Sequence, residues 1–574
     1  MSRDDPPPRD TIEEGRRLLR AGGAGLSLID RLTEPLHRLA WRTPLHDLRL
    51  KGRHPLKLLA VPDDPLAGDV ARGRALLEGQ VRYMGEERSV GAIDGRRPDW
   101  GKPFGDHLHS FAWLRDLSTV ATRAEGAPVA EALMARWLDA HADRVDAAWR
   151  PELWGRRVLF WTAHAPLILS STDLVYRSKV LNTLARGGRH LDRHADRAAP
   201  GAPRIAAWCG VVACGLLMPD SEPRLYFGEA GLARALSASL FEDGGVVSRS
   251  PAQALDAIGL LAMLRETYRA RRLEPPEMIA GTLAKMVPAL LGVTHADRGL
   301  GSWQGGGPVA AGRVQAVVEA SGVRTRPLRQ PRDWGYQRLN AGSAVLLVDA
   351  APPPVARAVE GGCASTLAFE FSDGPARLVV NCGGARAGVA GLPEALAEAL
   401  RTTAAHSTLT LADTNSTAIH ADGTLGRGVS EVELSRQESE AGSRIEAIHD
   451  GYARRFGFAH RRQLLLTADG RELRGEDQLL PRGDRRRAGP TPFAIRLHLG
   501  KGVEAEPAAG GQEAVLRTRE GGLWRFRCRG GALEIDDSVW IDGDGRPVAT
   551  RQLVVAGEAA DGGASVSWLL KRMR

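Results

Sequence analysis

Lysine is almost missing from this chain. Only seven of its 77 basic residues are lysines, which leaves 70 positive charges on arginine. Arginine's planar fork suits carboxylates and sulfates, so the bias is compatible with an acidic polymer as ligand, and an arginine-rich genome gives the same numbers. Cysteine is scarce too. Five cysteines in 574 residues exclude a disulfide framework, the odd count leaves at least one thiol free, and a reducing compartment is the simpler setting. No apolar run is long enough to span a bilayer comfortably, and the longest charge-free stretch, Ile205 to Pro219, reads as a buried helix. The opening Met-Ser-Arg-Asp-Asp-Pro-Pro-Pro lacks the basic start and apolar core of an export signal. The expectation is a cytoplasmic protein with no membrane partner, the alternative being the periplasm or cell envelope if the chain starts further upstream.

What is present is the composition of an ordinary globular protein, 43% hydrophobic and 25% charged. At 574 residues the chain is too long for one core, so two or more domains are expected. The net charge of +8 would also suit nucleic acid. Its densest run, Arg485 to Arg487 with Arg482 nearby, sits between glycines and ahead of Pro490 and Pro492. That reads as a solvated loop, without the basic helix or aromatic interleaving of a nucleic-acid surface.

From about Thr11 to Gly322, apolar residues recur at spacings of three and four between short Gly/Pro breaks, as in Val175 to Leu191, Ile205 to Met218 and Ala254 to Tyr268. This predicts a series of medium helices forming an all-α layer or toroid. From Tyr336 onward, short β-rich runs such as Ser343 to Val348, Thr366 to Phe371, Arg444 to His449 and Ala549 to Val555 alternate with Gly/Asp turns. Strands at such intervals predict an antiparallel sandwich. The expected architecture is therefore a multidomain chain, an N-terminal α/α toroid over residues 1–325 and a β-sandwich over 333–574, joined through a stretch holding Pro327 and Pro331.

Chemistry-bearing residues concentrate between Gly361 and Asn415, in G-G-C-A-S-T-L-A-F-E-F-S, R-L-V-V-N-C-G-G and R-T-T-A-A-H-S-T-L-T-L-A-D-T-N-S. The order and spacing resemble the C-terminal region of the heparinase II/III-like polysaccharide lyases. Matching texture occurs at His109 to Leu117, Glu242 to Pro251 and His449 to Arg462, and the toroid-then-sandwich order is that family's architecture. The resemblance implies cleavage of a uronate-containing polysaccharide by β-elimination. Such a reaction neutralises the carboxylate, abstracts the adjacent proton and protonates the leaving oxygen. The family's Asn or His from the helical domain, however, falls on Gly201-Ala202-Pro203, its Tyr on Gln253 and its sandwich His on Gly361, while its Arg and last His remain as Arg401 and His406. The positions of the family's structural zinc fall on Cys363, Asn381 and His406. Cys and His suit zinc and Asn does not, so a metal-free site is expected, with structural zinc as the alternative.

On this reading His406, Tyr452 and Arg249 are the candidate catalytic residues. Asp243, Ser248, Ser250, Arg401, Asn415, Arg454 and Arg455 are candidates for substrate binding. Arg249 would clamp a uronate carboxylate while His406 or Tyr452 served as base or acid, all facing one groove between the domains. The bland readings are a half-buried hydrogen-bonded His406, an ordinary turn at Asp243-Gly244-Gly245, and a solvated strand edge at Arg454 and Arg455. His190 and His194 lack the Glu of a zinc-protease helix, and Cys209 and Cys214 read as core. Two functions follow: a lyase acting on an acidic polysaccharide or oligosaccharide, or a non-catalytic acidic-glycan or polyanion binder on a lyase scaffold. Oligomeric state is not legible.

Overall fold

The computed structural model describes residues 15–21, 57–93, 99–354, 361–384, 392–421, 423–483, 489–508 and 510–573, with a few isolated positions besides. The run Arg485 to Arg487 lies outside them. Between Val70 and Ser321 the chain is predominantly helical. At the centre is the helix Ala202–Leu217, almost every residue of which is buried. It packs against Pro151–Ala163, Glu222–Ser239 and Pro251–Ala270. A helix surrounded in this way must be apolar all round, which is why this stretch carries no charge beyond its first turn. Its approach to Pro151–Ala163 depends on Gly155, where an added Cβ would lie 1.9 Å from the Ala206 carbonyl oxygen. A side chain there would force the two backbones apart. Helix Arg123–His141 opens on a capping box, Thr122 and Glu125 each satisfying the other's backbone N–H.

The helices end at Ser321 and the strands resume at Tyr336. Two antiparallel sheets follow. One runs, in spatial order, through β1 (Gly15–Arg20), Glu431–Ser439, Gly442–His449, Phe458–Thr467, Glu472–Pro481, Ala564–Arg572, Leu523–Arg529, Glu513–Thr518 and Val503–Pro507. The other contains β2 (Tyr336–Ala341), β3 (Ala344–Asp349), β4 (Phe369–Asp373) and β5 (Ala376–Val380), joined through Thr491–Leu499 to Pro547–Ala559 and Ala532–Ile541. The second sheet is covered on both faces. Along β3, Ala344, Leu346 and Val348 join the core between the sheets, while Val345 and Leu347 join the helical core. An unbroken apolar strand is what that double burial requires.

The fold is thus the α/α toroid followed by an antiparallel sandwich that the sequence implies. One correction concerns residues 15–20, which fall in the region expected to be helical. They form an edge strand paired with Glu431–Ser439, with Leu19 buried in the sandwich core. Six residues are too few to show a period, so alternation could not compete with the helical texture that follows. No helix among the described residues is long and apolar enough to cross a membrane.

Candidate functional site at the toroid–sandwich junction

The junction is built by three segments. The loop Glu242–Ser250 leads into helix Pro251–Ala270 on the toroid side. A hairpin, Thr294 to Val309, closes the helical domain and is tied by backbone bonds between Leu300 and Val309. From the sandwich come β3, β4 and the chain after β5. They meet in two places of opposite character.

The first is a seam of buried polar groups. Arg249 is 3% exposed and adopts φ 56°. Its Nη2 donates to Asp349 Oδ1 at 2.6 Å, its Nε to the Trp334 carbonyl at 2.9 Å and its Nη1 to the Pro352 carbonyl at 3.0 Å. Tyr336 returns a bond to the Arg249 carbonyl and lies under the guanidinium. Burial opposes the charge, but Asp349 outweighs it and keeps Arg249 firmly protonated. Asp349 Oδ2 accepts from Ser365, which is also bonded by Gln304. Beside this pair lies Glu370. Its Oε1 accepts from the N–H groups of Ser302 and Asn381 and from the Asn381 amide, and its Oε2 is 2.6 Å from His295 Nε2. Burial, then Arg377, holds the His295 pKa down against the pull of Glu370.

The second place, the cleft to which the resemblance points, is lined by glycine. Gly201 caps helix Ala202–Leu217, and Gln253 Oε1 lies 3.2 Å from where a Cβ on Gly201 would be. That oxygen is buried with no hydrogen-bond partner among the described residues. One turn on, Asp256 binds Arg156 Nη1 at 2.7 Å. Gly306 lies against Ser250 and Ala252, and Gly384 lies so close to Gly307 that an added Cβ would be 2.7 Å from its nitrogen. The two positions where the resemblance leads one to look for Asn/His and Tyr are therefore neighbours in space, occupied by a residue with no side chain and by an amide. An amide has no proton to exchange near neutral pH, so Gln253 can orient a ligand but cannot act as base or acid.

The other expected site residues do not gather in this cleft. His406 is 1% exposed and bonds the Thr402 carbonyl through Nδ1 at 2.7 Å. Burial lowers its pKa and keeps it neutral. Tyr452 is 1% exposed, lies in the core between the sheets and donates to the Leu409 carbonyl. Burial raises its pKa. The groove expected to expose Arg249, Ser250, His406 and Tyr452 together is thus corrected: all four are buried, because each completes backbone or ion-pair bonds within the fold. Ser248 is also buried, beneath Ser250. Asp243 accepts from Gly245 and from the N–H groups of Asp333 and Trp334, anchoring the interdomain connection. Arg401 binds the Gly362 and Gly423 carbonyls, and Asn415 accepts from Thr403 N. Arg454 and Arg455 are exposed on a short helix at the sandwich surface.

Of the residues considered for zinc, the Cys363 thiol faces the Gly361 carbonyl and Asn381 is held by Glu370, Ser302 and Ser407. Among the described residues no three His, Cys, Asp or Glu side chains are placed to share a metal. The seam residues Asp349, Glu370, His295 and Gln304 were missed by sequence reasoning. Local pattern gave no signal for Glu370, since Phe369-Glu370-Phe371-Ser372 alternates as a strand with one solvated face would.

The sequence profile of "Heparinase II/III-like, C-terminal" matches residues 323–569. Over 553 residues the chain is 30% identical to "FtsZ-localized protein C" of Caulobacter vibrioides (strain NA1000 / CB15N), covering 92% of each. The chain belongs to the heparinase II/III-like family. Among solved structures, a heparinase III superposes with TM-score 0.68 at 11% identity, covering 95% of this chain and 91% of that one. The heparan sulfate lyase HepC mutant of Pedobacter heparinus gives TM-score 0.60 at 14% identity over 92% of this chain and 87% of that one. This family member is accordingly related to polysaccharide lyases in fold and family.

Proposed function

We propose that this chain is a catalytically silent heparinase II/III-like protein that works by binding and localises with FtsZ, as the name of its Caulobacter relative describes. The observation that carries the reading is the occupancy of the cleft. Gly201 and Gln253 hold the positions from which an acid or base would act, and Arg249, His406 and Tyr452 are used up inside the fold. The arginine surplus has a matching explanation. Arg115, Arg249 and Arg462 pair with buried aspartates, and Arg156, Arg224 and Arg377 with partly exposed ones, so part of it serves structure. All five cysteines are buried and unpaired.

The competing reading, an acidic-glycan lyase, is favoured by the fold shared with heparinase III over most of both chains. It requires a base and a carboxylate clamp that reach one substrate. The test has two arms. Purified protein is offered uronate polymers between roughly pH 5 and 9, a range bracketing histidine titration, and absorbance of unsaturated ends is followed. A fluorescent fusion is imaged together with FtsZ. No turnover with co-localisation is the expected result, whereas unsaturated products at any pH would restore the lyase. A diffuse fusion would remove the FtsZ assignment, and salt-weakened glycan binding without turnover would replace it with a glycan partner.

A further inference from the structure

Beside the hairpin Thr294 to Val309 lies a pocket of about 310 Å³. Its walls come from both domains: Pro308 and Val309 from the hairpin, Arg377 and Val380 from β5, Trp540 from Ala532–Ile541 at the edge of the same sheet, and Val503 from the edge strand of the other sheet. Interdomain position and a volume of this order are what small-ligand sites show.

The charges of the pocket are unequal in availability. Arg377 donates Nε and Nη2 to Asp297 at 2.9 and 3.1 Å and Nη1 to the Leu300 carbonyl at 2.8 Å, so that pair is closed. Lys501, one of the chain's seven lysines, sits at the tip of the turn closed by the Val503 N–H to Gly500 carbonyl bond. It is exposed and has no ion-pair partner among the described residues. Glu520 stands on the neighbouring turn, also exposed, and the two turns touch where Gly502 meets Arg519. Trp540 is half-buried and offers an aromatic face among Pro308, Pro375, Val309 and Val503.

We infer that this pocket binds small amphipathic carboxylates, the carboxylate on Lys501 and the apolar body against Trp540 and the prolines. Glu520 then acts as a rim charge that weakens anions and sets the selectivity. The site is independent of the lyase-type cleft, and its test involves neither turnover nor FtsZ.

Calorimetric titration of the full chain with hexanoate, hexanamide and hexylamine separates the contributions. Hexanoate should bind about three- to fivefold more tightly than the other two, since only it gains the ion pair with the exposed lysine. Lys501→Glu should abolish that preference, Trp540→Ala should weaken hexanoate and hexanamide alike, and Glu520→Gln should strengthen hexanoate by about threefold. Lys501 and Glu520 are exposed turn residues, so their variants remain readable even if Trp540→Ala disturbs folding. Equal binding of hexanoate and hexanamide, preference for hexylamine, or hexanoate binding unaffected by Lys501→Glu would each overturn the proposal.

Discussion

The seam and the cleft lie within a few residues of one another and are built on opposite principles. At the seam, Arg249, Asp349, Glu370, His295 and Asn381 are buried and every one is bonded. At the cleft, Gly307 and Gly384 bring backbones together, Gly201 and Gly306 lie against the side chains of Gln253 and Ser250, and the Gln253 amide oxygen has no hydrogen-bond partner among the described residues. Buried charge persists only where something pairs it. The seam therefore holds two domains in register, while at the cleft Gly201 and Gln253 supply no group that could transfer a proton. A scaffold can retain its polar interior and lose its chemistry because the two sets of residues answer to different demands.

Acid tests that contrast most strongly. Burial lowers the folded pKa of His107 and His498 from 6.5 to about 4, and it lowers those of His295, His406, His449 and His460 as well. Below about pH 6.5 the unfolded chain binds protons that the folded chain refuses, so stability falls as pH falls. Each such histidine contributes about 1.4 kcal/mol per pH unit down to its folded pKa. Urea midpoints should drop steeply between about pH 6.5 and 4, and a flat profile would mean that these rings are solvated.

Arg249→Ala should cost about 3–5 kcal/mol by leaving Asp349 buried and unpaired, read as a lowered urea midpoint. Loss of ligand binding at unchanged stability would instead return Arg249 to a binding role. Glu370→Gln should cost about 1–3 kcal/mol, because one amide must replace a carboxylate that receives three N–H groups and faces His295. At the cleft the same measurement should barely respond. Gln253→Ala removes an acceptor that has no protein partner and should change stability by less than about 0.5 kcal/mol. A large loss there would show that the cleft is as structural as the seam.

Much of the fold was legible because periodicity reports burial. The helix Ala202–Leu217 and the strands from Arg444 onward lie close to where spacing placed them. Strand β1 was not legible, because its partner lies more than four hundred residues away in Glu431–Ser439 and no local pattern encodes that pairing. The candidate site divides in the same way. Spacing pointed to Gly201 and Gln253 as altered positions, and it offered as exposed ligand contacts Arg249, His406 and Tyr452, which the fold buries.

Residue types along the chain determined the two-domain architecture, the family resemblance and the absence of side chains suited to proton transfer at Gly201 and Gln253, since each of these depends on local identity and period. Only the tertiary structure decided that Arg249 meets Asp349 across a hundred positions, that Tyr452 ends in the sandwich core, and that Lys501 and Trp540 face one pocket. Whether a polar residue serves the interior or a ligand depends on what the rest of the chain brings to it, and a linear sequence does not state those distances.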